Sequence, residues 1–383
     1  MISDNDRRIV FIDDIPTPYR NHLFSYLNTC SDINIYILYL SSIGHEKLWK
    51  NDDEKLFPSD YLKSFQLYIK SMDKRVQLSF GVLSKLHHLH PRLIVVGGYH
   101  QQGYWMALLY CWLTGTPFVL WSGTTSYSVH SSSFLIDWFK KLFFHQCAAF
   151  IAYGNKAAEY LISNNVKKDD ILISCNTTDL RKIRLPVKQL LHSQECSIKR
   201  DSGKCPTFIF VGRLIESKGV GLLLKALSSL KNTYKFKLIV VGDGPARQSL
   251  EQQSLQYGLD GMVHFVGFQQ PNDMPRYLVL ADCFVFPTLQ EVWGLVVNEA
   301  LAAGLFIISS SKAGVSYDLV KSDEIGMIID PKQQLDLQAA LKYVIEKYDV
   351  ITSNRALRME ASKDYDIDII CEEMASWLKN QIH

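Results

Sequence analysis

Short apolar runs alternate with amphipathic stretches along nearly the whole chain. In the first half, Arg8–Ile12, Ile33–Tyr39, Leu93–Val96, Phe118–Trp121 and Cys147–Ala152 are continuous apolar runs of strand length. Asn21–Leu27, the stretch opening at Tyr104, and Lys156–Ser163 carry helical spacing between them. Strands that are apolar on both faces and separated by helices predict a parallel sheet covered on both sides. His45–Asp60 is charged and poorly patterned, which predicts a surface loop.

The second half repeats the alternation more clearly. Thr207–Val211, Leu238–Val241, Val263–Val266, Cys283–Phe286, Phe306–Ser309 and Met327–Ile329 predict a six-stranded sheet. Helices are expected over Gly219–Leu230, Pro245–Tyr257, Met274–Leu280 and Gly294–Ala303. That order makes a right-handed doubly wound sheet the expectation. Between the halves the pattern fails: Arg181–Pro206 is basic and irregular and reads as the connection. The expected domains are therefore residues 1–185 and 206–364, joined by a linker over 186–205. The closing stretch Asp366–Ile382 is amphipathic, with Ile367, Ile370, Met374, Trp377 and Leu378 on one side, and needs an apolar surface to cover.

Composition narrows the classes. A chain of 383 residues suits two or three domains of about 150 residues each. Hydrophobic residues at 47% and charged residues at 21% are ordinary for a folded globular protein. A net charge of +2 gives no electrostatic case for nucleic acid. The eight cysteines, Cys30, Cys111, Cys147, Cys175, Cys196, Cys205, Cys283 and Cys371, form no Cys-x-x-Cys pair. Free thiols in a reducing cytoplasm are the plain reading. The N-terminus lacks the apolar core of a signal peptide.

Two stretches raise the question of a membrane. Tyr104–Trp121 runs eighteen residues without a charge, at the lower edge for a spanning helix. Gly115 and Pro117 interrupt it, so a buried helix, a turn and a strand are expected instead. Phe134–Phe144 mixes large apolar residues with Lys140 and Lys141. Such a helix either lies on an anionic membrane surface or buries its apolar face in the first sheet; both readings stand.

Three motifs of the second half carry chemistry. Glu291 and Glu299 lie eight apart in EVWGLVVNE, after the strand Cys283–Phe286. Glu291 thus sits at the carboxyl end of a parallel strand, where doubly wound folds bind ligands. Backbone N–H groups near Gly294 and Leu295 can hold a phosphate at the helix start. Carboxylates on either side can accept hydrogen bonds from vicinal hydroxyls, which suits a sugar phosphate. The competing reading is a solvated helix start with favourably placed acids. Next, Gly212 opens a turn after the strand Thr207–Val211, and Arg213 and Lys218 follow it. Two cations there can offset the charge of a departing diphosphate; a basic turn is the simpler alternative. Third, VGDGP (Val241–Pro245) is a glycine-rich turn without the third glycine of a dinucleotide fingerprint. It reads as a structural turn at least as readily as a nucleotide contact.

The pieces GRLIESKG (Gly212–Gly219), VVGDGP (Val240–Pro245), VHFVGF (Val263–Phe268) and EVWGLVVNEALAAG (Glu291–Gly304) stand in that order on those elements. Together they resemble the retaining glycosyltransferases of family 4. The resemblance is close over Thr207–Asp330 and reaches more weakly to Ile15–Arg20, Val95–Tyr99 and the final helix. It implies the α/β GT-B fold: two Rossmann-like, doubly wound domains facing across a cleft, with the helix of 365–383 completing the first domain. It also implies roles. Arg213 and Lys218 would bind the donor diphosphate and assist its departure, beside Gly212. Glu291 would bind the transferred sugar, with Gly294 and Leu295 nearby, and Glu299 the donor ribose. Phe268 would border the nucleobase. Tyr19, Arg20 and His100 fall on the edge of the first domain that would face the acceptor. Many members carry a histidine at the end of the strand matching Phe118–Trp121; this chain has Trp121-Ser122-Gly123, and its next histidine is His130.

The expected partners are a nucleotide-sugar donor and a glycan or lipid-linked glycan acceptor. The expected place is the cytoplasm, with peripheral contact at the inner face of the membrane, in the synthesis of a bacterial surface polysaccharide. No cofactor or metal is expected. Asp364, Asp366 and Asp368 mimic a metal motif but read as an acidic helix start. His87, His88 and His90 read as a solvated helix end. A non-catalytic nucleotide-sugar-binding protein, an epimerase or a phosphorylase are the alternatives.

Overall fold

A computed structural model describes residues 8–30, 33–41, 56–69, 74–128, 134–192 and 205–382. The chain forms two compact units, Met1–Thr178 with Ile367–His383, and Asp179–Asp366. His130 and Cys196 lie outside the described residues, as does the side chain of Cys30.

The first unit runs β1 (Arg8–Asp13), α1 (Pro18–Cys30), β2 (Asn34–Tyr39), β3 (Ser59–Tyr61), β4 (Lys63–Ile69), β5 (Lys74–Phe80), α2 (Val82–Leu89), β6 (Leu93–Val96), α3 (Gln102–Thr114), β7 (Phe118–Ser122), α4 (Phe134–His145), β8 (Ala149–Ala152), α5 (Asn155–Ser163) and β9 (Ile171–Ile173). Seven strands form a parallel sheet in the order β3-β2-β1-β6-β7-β8-β9. Side chains alternate through it with the strand period of two. Ile9 and Phe11 enter one core with Leu93, Val95, Val119 and Trp121. Val10 and Ile12 enter the other, with Ile94, Val96, Leu120 and Phe150.

The C-terminal helix, Ile367–Asn380, supplies the first of these cores. Ile367, Cys371, Met374, Ala375 and Leu378 recur at helical spacing and are buried with Leu23, Phe24 and Leu27 of α1. Burying each of the larger side chains contributes about 1.5–3 kcal/mol. This is the apolar surface that the amphipathic pattern demanded.

Three features of this unit depart from the sequence reading. Of the expected loop His45–Asp60, 45–55 lie outside the described residues, and Ser59–Tyr61 is an edge strand on β2. β4 and β5 pair antiparallel as a hairpin with no counterpart in the pattern reading. Their apolar residues, Phe65, Leu67 and Ile69 and then Val76, Leu78 and Phe80, alternate with mostly polar ones, so no continuous apolar run marks them. Helix α3 was expected to be buried. It buries Tyr104, Ala107, Leu108, Tyr110 and Cys111 but leaves Trp112 74% and Leu113 64% exposed. An apolar side chain occurs on every face of this helix, and the sheet covers only one.

The second unit runs α6 (Arg181–Leu191), β10 (Thr207–Val211), α7 (Val220–Ser228), β11 (Lys237–Val241), α8 (Arg247–Gln256), β12 (Val263–Gly267), α9 (Met274–Leu278), β13 (Cys283–Phe286), α10 (Leu295–Ala302), β14 (Phe306–Ser310), α11 (Ser316–Leu319), β15 (Gly326–Ile329), α12 (Gln334–Glu346), α13 (Tyr348–Ser353) and α14 (Arg355–Ala361). Its six strands are parallel in the order β12-β11-β10-β13-β14-β15. The order reverses between β10 and β13, so the crevice outside the carboxyl ends of those two strands is the topological switch point.

The basic stretch from Arg181, expected to be connecting chain, opens with α6, a helix of the second unit. Arg184 explains its place. Its guanidinium grips the Asp366 carboxylate at 2.8 and 2.6 Å and donates to Ser362 Oγ at 3.0 Å, all buried. A bidentate pair of this kind is both strong and directional. It also takes up the middle carboxylate of Asp364-Tyr365-Asp366-Ile367-Asp368. Two further buried arginines fix α14. Arg355 donates to the carbonyls of Ala303, Ala281 and Leu278 at 3.0–3.1 Å. Arg358 donates to those of Gly304 (2.9 Å), Glu324 (3.0 Å) and Ile351. They satisfy carbonyls at the carboxyl end of α10, which an α-helix cannot satisfy itself.

Candidate functional site

The second unit gathers its motifs at the switch point. The turn Gly212–Gly219 after β10 ends in a single 3-10 turn, Glu216–Lys218. The loop after β13 holds that turn in place. Leu289 N–H and Thr288 Oγ1 donate to Ser217 O at 2.7 and 3.0 Å. At Gly219, φ is +72°, and a Cβ would stand 2.0 Å from Pro287 O. Only glycine allows the two loops this approach.

Loop contact carries side-chain contact with it. Lys218 Nζ donates to Glu291 Oε2 and stands 5.6 Å from the centroid of the Phe286 ring. Glu291 is fixed through its backbone, with its N–H on Lys312 O at 3.0 Å and its carbonyl accepting from Gly314 at 3.3 Å. Gly294 begins α10 with φ +103° and packs against Phe286 and Glu291. Buried Trp293 donates through Nε1 to Oδ1 of buried Asn298 at 3.1 Å, which locks the helix entry. Lys218, Glu291, Gly294 and Leu295 therefore share one corner. Glu299 lies further along α10, half-buried. Burial lifts its carboxyl to about 7, because a carboxylate loses hydration there.

The other residues expected on the donor side follow strands of the same sheet. Gly212 and Arg213 begin the same loop, with Arg213 exposed. Phe268 follows β12, two strands from β10, and is half-buried. VGDGP is a structural turn: a Cβ on Gly242 would stand 1.9 Å from Gly212 O, so the turn braces the loop that carries Arg213. Leu214 N–H donates to Asp243 O, and Ala246 N–H to Leu214 O.

The first unit holds a second polar cluster, at the carboxyl ends of β1, β6 and β8. Arg20 is 4% exposed. Its guanidinium lies 3.6 Å from the centroid of the Trp121 ring, bonds Tyr153 Oη and approaches Asp13 at 3.6 Å. So Arg20, expected beside an acceptor, is engaged inside the unit. Tyr19 is half-buried and His100 exposed. His100 Nε2 lies 3.3 Å from Asp14, which also accepts from Tyr104 Oη at 2.7 Å. Burial raises the Asp13 carboxyl despite Arg20, and pushes the Tyr153 hydroxyl up to about 12. Trp121, near the end of β7, is the platform for Arg20. Asp13, Asp14, Tyr104 and Tyr153 were not singled out in the sequence, although two acids directly after a strand were a readable signal. Among the other histidines, His88 Nδ1 lies 2.6 Å from Ser84 O at the end of α2.

Comparison with known proteins agrees with this layout. The family model of glycosyl transferases group 1 matches residues 197–364. The sulfoquinovosyl transferase SQD2 of Arabidopsis thaliana is 24% identical over 94% of this chain and 71% of that protein. The lipopolysaccharide core biosynthesis glycosyltransferase LpsD of Rhizobium meliloti is 33% identical over 34% of this chain and 37% of that protein. Several other curated relatives are likewise matched over less than half their own length, between 31% and 48%. Among solved structures, Anabaena HepE in complex with UDP superposes with a TM-score of 0.74 at 16% identity, over 97% of this chain and 100% of that one. The chain therefore has the GT-B fold, two Rossmann-like units, and its residues 197–364 are similar to the glycosyl transferases of group 1.

Proposed function

We propose that the chain is a retaining glycosyltransferase that moves a sugar from a nucleotide-sugar donor to a glycan or lipid-linked glycan in bacterial surface-polysaccharide synthesis. The observation that carries the reading is the Lys218–Glu291 pair beside the start of α10, at the switch point of the second sheet. In this reading Arg213 and Lys218 bind the diphosphate and stabilise its departure. The N–H groups of Gly294 and Leu295 add the positive end of a helix. Glu291 accepts hydroxyls of the transferred sugar, Glu299 those of the ribose, and Phe268 borders the base. The acceptor hydroxyl attacks from the side the diphosphate leaves, so configuration is retained. The two cations supply the positive charge that the leaving group needs, and the reading includes no metal or other cofactor. Tyr19 and His100 lie on the acceptor side, with Arg20 holding that edge in shape. The name of LpsD supports the polysaccharide setting, and UDP in the HepE structure a nucleotide donor.

The test is a thermal-shift screen against UDP, GDP, CDP, dTDP and their sugar conjugates, with and without magnesium. A ligand that binds only the folded chain raises the midpoint by mass action. A shift with one nucleotide, independent of magnesium and lost in Arg213→Ala, is expected. Folded protein that responds to none of them would overturn the donor assignment.

A further inference from the structure

Helix α10 begins without a capping side chain. Ordinarily a serine, threonine, aspartate or asparagine at that position accepts from N–H groups of the first turn and fixes the helix entry. Here the position is Gly294, at φ +103°, and a Cβ on it would stand 2.8 Å from Cε1 of Phe286 and 3.4 Å from Cγ of Glu291. A capping side chain is thus excluded twice, by the backbone conformation and by the space. No side chain takes up the N–H groups at the helix start, which keeps them for a phosphate. The entry has to be fixed in another way.

Trp293 and Asn298 fix it. Both are buried, and the indole Nε1 donates to Asn298 Oδ1 at 3.1 Å. A phenylalanine and a leucine would fill this core without desolvating two polar groups, and such paired swaps are often neutral or stabilising. What a buried polar pair adds is register, since the bond forms at one setting of the helix against the chain that enters it. The neighbours make that setting matter. Trp293 comes two residues after Glu291, and Asn298 comes directly before Glu299. The segment that carries Glu291 is also tied by its backbone to the loop after β14. Glu291 N–H donates to Lys312 O at 3.0 Å, Gly314 N–H to Glu291 O at 3.3 Å and Val315 N–H to Trp293 O at 3.4 Å. The loop therefore holds the Glu291 end, and the Trp293–Asn298 bond carries that position past the glycine to the Glu299 end.

We infer that Trp293 and Asn298 are a positioning pair, whose hydrogen bond replaces the missing cap and sets Glu291 against Glu299. The inference rests on the proposed reading of those glutamates as sugar and ribose contacts, and one arm of its test is independent of that reading.

The experiment compares three variants of the full chain. Trp293→Phe keeps a ring and removes the indole N–H. Trp293→Phe with Asn298→Leu removes both partners, so that neither is left buried and unmet. Leu301→Val is the control: Leu301 is buried on the same helix, and this change loosens packing without touching the bond. Hydrogen exchange over residues 291–300 is read first, without nucleotide. Both Trp293 variants are expected to exchange faster there than the control. Kinetics on the sugar donor found by the screen follow. In both Trp293 variants kcat is expected to fall about tenfold or more, while affinity for the nucleoside diphosphate alone changes by less than about threefold, because the diphosphate does not need Glu291. Exchange no faster than in the control overturns the inference, whatever the nucleotide does. So does an unchanged kcat, or a fall in kcat that Leu301→Val reproduces at the same unfolding midpoint. Faster exchange in a chain that binds no nucleotide supports the positioning pair and overturns the donor reading instead.

Discussion

Lys218 Nζ donates to Glu291 Oε2, joining two motifs 73 residues apart in the chain. The lysine arrives on a 3-10 turn after β10 and the glutamate on the loop after β13, neighbouring strands of one sheet. Each side chain holds the other in position. In the proposed reading the lysine would meet a diphosphate and the glutamate a sugar, so the pair is the natural place to test that reading.

Lys218→Ala and Glu291→Ala are each expected to lower kcat/KM by roughly 100- to 1000-fold. The double variant should lose less than the product of the two effects, because the residues share a contact. Steady-state kinetics on the donor found by the screen checks this. Glu291→Ala with unchanged turnover would remove its assigned role.

If Glu299 binds the donor ribose, as proposed, donor binding should depend on pH. Its carboxyl titrates at about 7 in the folded chain, against 4.5 unperturbed. Because its folded pKa is raised, the folded state binds the proton more tightly between those values, so this residue's contribution to stability falls as pH rises. Glu299→Gln should flatten that fall and gain about 1–3 kcal/mol at pH 8. Ribose hydroxyls favour the ionised form, so nucleotide affinity should rise with pH through 7 and binding should release a proton. Titration calorimetry in buffers of different ionisation enthalpy measures both, and an affinity that is flat from pH 6 to 8 would count against the ribose contact.

Gly219 and Gly115 separate steric from conformational cost. Both have φ near +70°, but a Cβ on Gly219 would strike Pro287 O whereas one on Gly115 meets nothing within 4 Å. Gly115→Ala should cost about 1 kcal/mol. Gly219→Ala should cost more and also weaken nucleotide binding, since it displaces the turn that carries Lys218. Urea unfolding of the two variants, read beside their thermal shifts with nucleotide, gives the comparison.

Arg358 is a structural residue with a large expected effect. Burial pushes its guanidinium down to about 10, and its hydrogen bonds to Gly304, Glu324 and Ile351 all end on backbone carbonyls. Arg358→Met leaves those acceptors buried and unmet, at an expected cost of about 3 kcal/mol or more. Arg358→Lys should recover little, because one ammonium cannot span a fork of three carbonyls. Equilibrium denaturation of both variants tests this.

The strands were legible because a buried parallel strand must be apolar on both faces. Thr207–Val211 and Cys283–Phe286 fall on the residues that the pattern picked out. The corner at Glu291 was legible because helix starts and strand ends carry glycine and acid in fixed order. What escaped had no continuous apolar run or was held by polar contacts. The hairpin β4-β5 carries an alternating pattern instead of a run, and α6 is fixed by Arg184 meeting a carboxylate 182 positions away. The cluster of Asp13, Arg20, Tyr104 and Tyr153 is likewise assembled from distant elements, β1, α1, α3 and the turn after β8. No local pattern encodes such meetings.

The C-terminal helix belongs to the first unit, while the whole second unit lies between it and Thr178. During synthesis, then, the second unit has all its strands outside the ribosome before the first receives its last core element. Until Ile367, Met374 and Leu378 emerge, the faces of Leu23 and Phe24 that they cover stay open to water. The order in which the chain is made is thus the reverse of the order in which its two halves are finished.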